Sequence, residues 1–303
     1  MFSEQQPLSR LHMRLRGCFY HDEILRDFLD EHYFWSGHGF RGKLCIEIGS
    51  CLDIDPDITT EVALFTELLH NASLIHDDII DRDEQRRGHM TIWKKHGVSK
   101  ALLVGDLLIG KAFEIALNSR VEPRIKVKWS SLLSKTVLHA VKGAIDELVF
   151  DHYTESDLLV RYHRMATLKT GALFALPISC LASVVGMDAN QTATLTDSFS
   201  DLAVAYQIKD DQADFHGKKL GRNITSDITN GRPNIYHLMS PLSSFSEDFE
   251  SYIASYHSNL VFQATEKLTS FAPELIELVN SQVLPFVHLD ESLSGNLGLN
   301  SIA

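Results

Sequence analysis

The stretch LIHDDIIDRDEQRRG at 74–88 ends a long apolar segment in a crowd of carboxylates, then follows them at once with Arg86, Arg87 and Gly88. Upstream, Val62, Leu64, Phe65, Leu68, Leu69, Ala72, Leu74 and Ile75 put apolar residues on most sides of one helix, predicted over 59–81. A helix that apolar belongs in the centre of a bundle. Asp77 and Asp81 stand four apart on one face of it, with Asp78 beside them. Like charges at that spacing cost about 0.2–0.5 kcal/mol each when exposed and more when buried, so something positive has to compensate them. The same spacing returns in YQIKDDQADF at 206–215, where Asp210, Asp211 and Asp214 end a second apolar helix led in by Leu202, Val204, Ala205 and Ile208. One such motif is often no more than a solvated helix end. Two of them on apolar helices suit hard divalent cations with oxygen ligands, Mg²⁺ above all, which takes one or two carboxylates and completes its shell with water and phosphates.

The remaining sequence is helical in pattern. Apolar residues recur at intervals of three and four over 21–35, 99–118, 127–152, 157–186, 190–215 and 247–282, and alternating β-type runs are nearly absent. No repeat, low-complexity tract or linker divides the chain, which predicts one all-α domain, 1–303, a bundle of about ten helices around a central cavity. Loops are expected at 36–42, 82–98, 119–125, 216–233 and 239–246, where turn formers gather. The formal net charge of -12, from 28 Lys+Arg against 40 Asp+Glu, argues against nucleic acid as the main partner. An anionic ligand stays open where metal ions reverse the local sign. Cys18, Cys45, Cys51 and Cys180 show no metal-binding spacing and read as reduced thiols. The polar first residues and the lack of a long apolar run predict no transmembrane segment and a cytoplasmic protein.

Over about residues 35–235 the chain resembles the trans-isoprenyl diphosphate synthases. LLHNASLIHDDIID with the following RRG resembles the first aspartate-rich motif of that family, and YQIKDDQAD the second. LKTGALF at 168–174 resembles its Lys-Thr motif, and LGRNITSDITNGRPN at 220–234 its last basic segment, with Arg222 and Arg232 where lysines are usual. The resemblance implies that an allylic diphosphate ionises, that isopentenyl diphosphate attacks the cation, and that a proton is lost. It implies that Asp77, Asp81 and Asp210, with Asp78, Asp211 and Asp214 nearby, hold about three Mg²⁺ ions on the departing diphosphate. Arg86, Lys169 and Arg222 or Arg232 would add charge-assisted hydrogen bonds, and Thr170 and Gln207 would sit as oriented dipoles near the developing cation. The diphosphate itself would take the proton.

For the second, homoallylic diphosphate the resemblance points to SGHGFRGKL at 36–44 together with His70 and Arg87. Arg41 matches the family pattern, but His38 stands where a lysine is usual. Lys43, two residues beyond Arg41, is the candidate substitute. The departure keeps two alternatives in view: a terpene cyclase or irregular prenyl-coupling enzyme on the same fold, and a non-catalytic subunit of a heteromeric synthase. Two complete aspartate motifs speak against the second. A homodimer is expected. The growing chain is expected to run down the 59–81 helix, where one turn rises about 5.4 Å, close to one isoprene unit. Ala72 and Ser73 come first and are small; Leu69 with Leu68, then Phe65 and Thr66, lie deeper. That order predicts a C20 product within a C15–C25 range.

His38 yields the first prediction. His38→Lys places a full cation beside Arg41, His70 and Arg87, and a charge-assisted phosphate contact is worth about 1.5–3 kcal/mol. Steady-state kinetics should show the KM for isopentenyl diphosphate falling roughly tenfold, with that for the allylic primer unchanged.

Overall fold

The computed structural model describes residues 5–19, 39–150, 155–218, 232–240, 249–290 and 292–293. The helix expected at 21–35, and the site candidates His38 and Arg222, lie outside the described residues. The chain runs α1 (Gln5–Gly17), α2 (Phe40–Cys51), α3 (Pro56–Ile80), a hairpin of β1 (Gln85–Arg86) and β2 (His89–Met90), α4 (Ile92–His96), α5 (Val98–Asn118) and α6 (Pro123–Leu148). Then come α7 (Glu155–Ala166), a π-helical turn Thr167–Gly171, α8 (Ala172–Val184), α9 (Ala189–Phe215), α10 (Ile235–Met239), α11 (Phe249–Phe271), α12 (Pro273–Leu278), a second π turn Val279–Val283 and α13 (Leu284–Val287). The all-α expectation holds: the two-residue strands are the only β structure among the described residues.

Local chemistry sets the ends of the central helices. The Asp55 side chain accepts from Asp57 N at 2.7 Å, and Pro56 opens α3 with a φ already suited to a helix. Asp188 and Gln191 close a reciprocal capping box at the start of α9. Between those ends α3 is buried on nearly every side, from Thr59 to Leu69, and packs on α2, α5 and α8. Phe65 meets the fully buried Trp129 of α6 edge-on at 5.5 Å, and the Trp129 indole N–H donates to Cys180 O at 3.1 Å. A second, smaller core joins α7, the C-terminal half of α9, α10 and α11 around Tyr162, Ile208 and Tyr236. Both aspartate motifs therefore emerge from buried helices.

Three expectations are corrected in detail. The helix predicted over 157–186 is interrupted by the π turn at Thr167–Gly171. The one predicted over 247–282 breaks at Ala272, whose φ of -147° follows from the proline after it. The loop predicted over 36–42 already becomes helix at Phe40, with Gly39 left-handed just before it. The stretch Asp157–Val184 has the length and apolarity of a membrane span, but its residues Leu173–Ala182 are buried in the protein core.

Candidate active site

A cavity of about 710 Å³ opens between α3, α6, α9 and the C-terminal segment. It brings together Asp77, Asp210, Asp211, Arg86, Arg87, Lys169, Thr170, Gln207, Arg232, Arg41, His70, Leu69, Ala72 and Ser73, all expected site residues. Asp78, Asp81 and Asp214 do not line it. The two ends of the cavity differ in character.

At the first end the carboxylates of the first aspartate motif have basic partners. The Lys169 ammonium lies 3.6 Å from Asp77 Oδ1 and donates a short hydrogen bond to Glu147. Arg232 pairs with Asp81 and lies 3.9 Å from Asp83. Asp78, one residue on from Asp77, turns away from the cavity and is almost fully buried, where Arg86 Nε donates to its Oδ1 at 2.7 Å. The hairpin makes that last pair possible. Its two-residue loop is Arg87–Gly88, both with positive φ (54° and 80°), which is the geometry of a type I′ turn. Glycine takes that conformation without cost; Arg87 adopts it because the turn demands it. Arg86 consequently points inward to Asp78, and Arg87 is carried to the other end of the cavity.

On α9, Asp210 and Asp211 both line the cavity, Asp211 with its side chain almost fully buried, and Asp214 is buried outside the lining. Asp211 accepts from the Tyr162 hydroxyl at 2.8 Å, from Ile235 N at 2.9 Å and from Gln207 Nε2 at 2.9 Å. The Gln207 carbonyl oxygen accepts from the Thr170 hydroxyl at 3.1 Å. Burial, and then the Asp211 charge, push the Tyr162 hydroxyl far above its usual range, so it is a neutral donor. Lys169 and Thr170 stand on the π turn, a widening of the helix that is common at functional sites.

The second end is built on arginine. The Arg41 guanidinium lies over the Phe174 ring, 4.4 Å from its centroid, and donates to His70 Nε2 at 3.1 Å. Burial, with Arg41, Arg87 and Arg86 nearby, holds the His70 pKa well below its usual value, so the ring is neutral. Because Arg41 can only donate, Nε2 must accept and Nδ1 carries the proton. That Nδ1 is buried and has no hydrogen-bond partner among the described residues. Glu67 is buried below, accepting from Gly42 N at 2.7 Å, which ties the start of α2 to α3. Lys43 does not serve this end: its ammonium donates to Gln282 at 3.0 Å and pairs with Glu47 at 3.5 Å.

Sequence reasoning passed over several residues that line or shape the cavity. Glu147 of α6 holds Lys169, and no motif in the sequence marks it. Tyr162 is marked in the sequence only by its place two turns before Lys169. Phe286 lies stacked between Phe40, at 4.0 Å, and Tyr206, at 4.7 Å, and nothing near it in sequence announces that contact. Along α3 the lining reaches up to Glu67 and Leu69 and stops. Phe65 and Thr66, expected as the deeper floor, are in the packed core instead. The apolar wall continues across Ile109, Val137, Ala140 and Ala144 of α5 and α6.

The donor set fits a hard cation. It is all oxygen, and Asp77 and Asp210 face one cavity from two helices. Among the described residues no three carboxylates, imidazoles or thiols converge closely enough to enclose an ion alone. Mg²⁺ needs only one or two carboxylates when phosphate oxygens complete its shell, so this arrangement suits a cation that arrives with an anionic ligand.

Comparison with known proteins points the same way. The polyprenyl synthetase family model matches residues 22–282. The short chain isoprenyl diphosphate synthase of Methanocaldococcus jannaschii is 30% identical over 251 residues, covering 82% of this chain and 75% of that one. The geranylgeranyl pyrophosphate synthase of Geoglobus acetivorans is 32% identical over 210 residues, 67% of this chain and 64% of its own. A crystal structure of polyprenyl synthase from Caulobacter crescentus, complexed with calcium and isoprenyl diphosphate, superposes with a TM-score of 0.77 over 94% of both chains at 22% identity, a likeness of fold.

The position of Lys169 rests on close helix packing. A Cβ at Gly143 of α6 would stand 2.5 Å from Lys169 N and 2.9 Å from its Cα, backbone atoms that cannot swing aside. Gly143→Ala should therefore cost about 1–3 kcal/mol in urea unfolding. Gly110→Ala, whose Cβ would meet nothing within 4 Å, is the control and should be neutral or mildly stabilising.

Proposed function

The chain is a prenyltransferase of the polyprenyl synthetase family, and from that membership we propose that its cavity condenses isopentenyl diphosphate with an allylic diphosphate to a linear prenyl diphosphate of C20 length. The observation that carries this reading is that one cavity has two separate ends, each with basic side chains able to bind a diphosphate: one where they stand among carboxylates, the other built on arginines. A cyclase handles one diphosphate and needs one such end. The acidic end, with Lys169, Arg86 and Arg232 among Asp77, Asp81 and Asp210, takes the allylic diphosphate together with divalent cations. The arginine end, with Arg41, Arg87 and the Nδ1–H of His70, takes isopentenyl diphosphate.

Divalent metal, about three Mg²⁺ in this proposal, would be held by Asp77, Asp81 and Asp210 and would supply Lewis-acid stabilisation of the diphosphate leaving group. Lys169 and Arg232, which neutralise carboxylates in the structure, exchange those partners for phosphate oxygens when substrate binds. Thr170 and Gln207 orient dipoles toward the carbon that becomes positive. The buried apolar walls exclude water that would otherwise capture the cation. The released diphosphate, held by Lys169 and Arg86, accepts the proton lost from the new chain.

The assembly proposed is a cytoplasmic homodimer. Leu102, Val141, Ile145 and Leu148 line the cavity while remaining substantially exposed, and Leu103, Leu107 and Leu138 extend the same apolar surface of α5 and α6. A second copy is the occupant proposed for that surface.

The test of the reaction is incubation with Mg²⁺, isopentenyl diphosphate and each allylic primer, with products analysed before and after phosphatase. A linear alcohol released only by phosphatase supports the proposal. A hydrocarbon formed from the primer alone, with isopentenyl diphosphate unconsumed, establishes the cyclase instead.

Asp77→Ala or Asp210→Ala should lower kcat by about a thousandfold or more, in the range of removing a major electrostatic contributor, with the fold retained by circular dichroism. Activity within tenfold of the parent in either variant rules out these carboxylates as metal holders. Ala72→Phe fills the wall one turn from Asp77 and should move the product to C15 or shorter on chromatography of the dephosphorylated alcohols. An unchanged distribution would mean that the chain leaves the metal end by another route.

A further inference from the structure

The network behind Thr170 has a fixed polarity. Asp211 is a carboxylate and can only accept, so the side of Gln207 facing it must be the amide NH₂. The opposite side, the carbonyl oxygen, faces Thr170, and the single hydroxyl proton of Thr170 is committed to it. What remains of Thr170 toward the cavity is lone pairs. No rotation of the amide satisfies both neighbours in the other sense. The polarity originates at Asp211, and the Asp211 carboxylate is itself held from the far side by the Tyr162 hydroxyl and Ile235 N. Asn234 Nδ2 adds a bond to the Asp211 carbonyl at 2.8 Å, which joins α10 to the same point.

We infer that Tyr162, acting through Asp211, is a positioning residue that locks Gln207 and, through it, holds Thr170 with its oxygen lone pairs turned toward the carbon that becomes positive. The inference rests on the prenyl-transfer reading and deepens it. Tyr162 lies wholly in the core and outside the cavity lining, so it touches no substrate. Its hydroxyl sets which way Asp211 presents its two oxygens. A charged acceptor at the end of a hydrogen-bond chain polarises each member, so the Gln207 carbonyl and the Thr170 oxygen are more negative than isolated dipoles would be. Asp211, although it belongs to the second aspartate motif, works in this arrangement toward the scaffold, and Asp210 faces the cavity.

The test separates charge recognition from general binding. The probes are two analogues of the allylic primer, measured by calorimetry with Mg²⁺. In one, a protonated tertiary amine replaces the carbon that carries the positive charge; the other is an uncharged thiolodiphosphate. Tyr162→Phe keeps the ring and removes the hydroxyl. It should weaken the ammonium analogue roughly fivefold or more, as expected for disordering a preorganised acceptor, and leave the thiolodiphosphate within about twofold. Gln207→Leu cuts the chain at its middle without touching the core and should give the same selective loss. The double variant should be no worse than the poorer single one, because both act through one network. Equal weakening of both analogues in the two variants, or no weakening of either, overturns the inference. Failure of the parent protein to bind either analogue overturns the prenyl-transfer reading first and the inference with it, and this outcome is read before any variant is made.

Discussion

The constraint on which the structure depends is the neutralisation of carboxylates at the ends of two buried helices. A partly buried carboxylate without a partner either costs several kcal/mol or takes up a proton. Here each motif solves the problem with the same division of labour. The first aspartate of each pair, Asp77 or Asp210, lines the cavity, and the second, Asp78 or Asp211, about 100° further round the helix, is almost fully buried with its carboxylate held by the scaffold, although Asp211 also borders the cavity. Asp78 is met by Arg86 and Asp211 by Tyr162, Gln207 and the start of α10. Removing one partner of such a buried pair typically costs about 3–5 kcal/mol, so the adjacent aspartates are not interchangeable although the sequence writes them identically.

This division explains why Arg86 and Arg87 must be adjacent and followed by glycine. Arg86 is bound to Asp78, and the type I′ turn that follows reverses the chain within two residues. Arg87 is thereby delivered to the Arg41–His70 end while Arg86 stays at the aspartate end. One short hairpin thus supplies a cation to each end of the cavity. The position of Lys169 depends in turn on α6, which approaches its backbone through Gly143 and carries Glu147 one turn later on the same face.

The long helices and both aspartate motifs were legible because they repeat strong local signals, a 3.6-residue apolar period and a fixed carboxylate spacing. The Pro273 break was legible in principle, since proline excludes the preceding residue from helical geometry, but the apolar pattern runs straight across it. The π turn was not, because its one-residue widening leaves the residue types of LKTGALF unchanged. Lys43 illustrates a different limit. Its charge and its nearness to Arg41 in sequence suggested a phosphate contact, but helix α2 begins at Phe40 and carries it toward Glu47 and Gln282. Tyr162, Glu147 and Phe286 are known only from contacts made by segments far apart in the chain, 49, 22 and 80 residues from their partners Asp211, Lys169 and Tyr206.

The contrast between the two ends of the cavity bears on how two diphosphates would be kept apart in the proposed reaction. At the aspartate end the basic side chains are already balanced by carboxylates, so an incoming diphosphate meets little net positive charge unless cations accompany it. At the other end Arg41 and Arg87 face a neutral imidazole, and Glu67, the carboxylate beneath them, is engaged by Gly42 N and has its pKa raised by burial. In the proposed reaction this end takes its diphosphate on the arginines, without metal. On the proposed reading the ends would discriminate by what accompanies the anion more than by the anion itself: a metal-bearing diphosphate at Asp77 and Asp210, a metal-free one at Arg41 and Arg87. Because His70 has a lowered pKa, its donor at Nδ1 is present without a charge that titrates near neutrality, and the recognition it offers changes little as pH rises above its usual value. The sequence places the two ends on one helix, with His70 and Asp77 seven residues, two turns, apart on the same face. On the proposed reading a rigid α3 would hold the spacing of the two diphosphates at a length set by the helix rise.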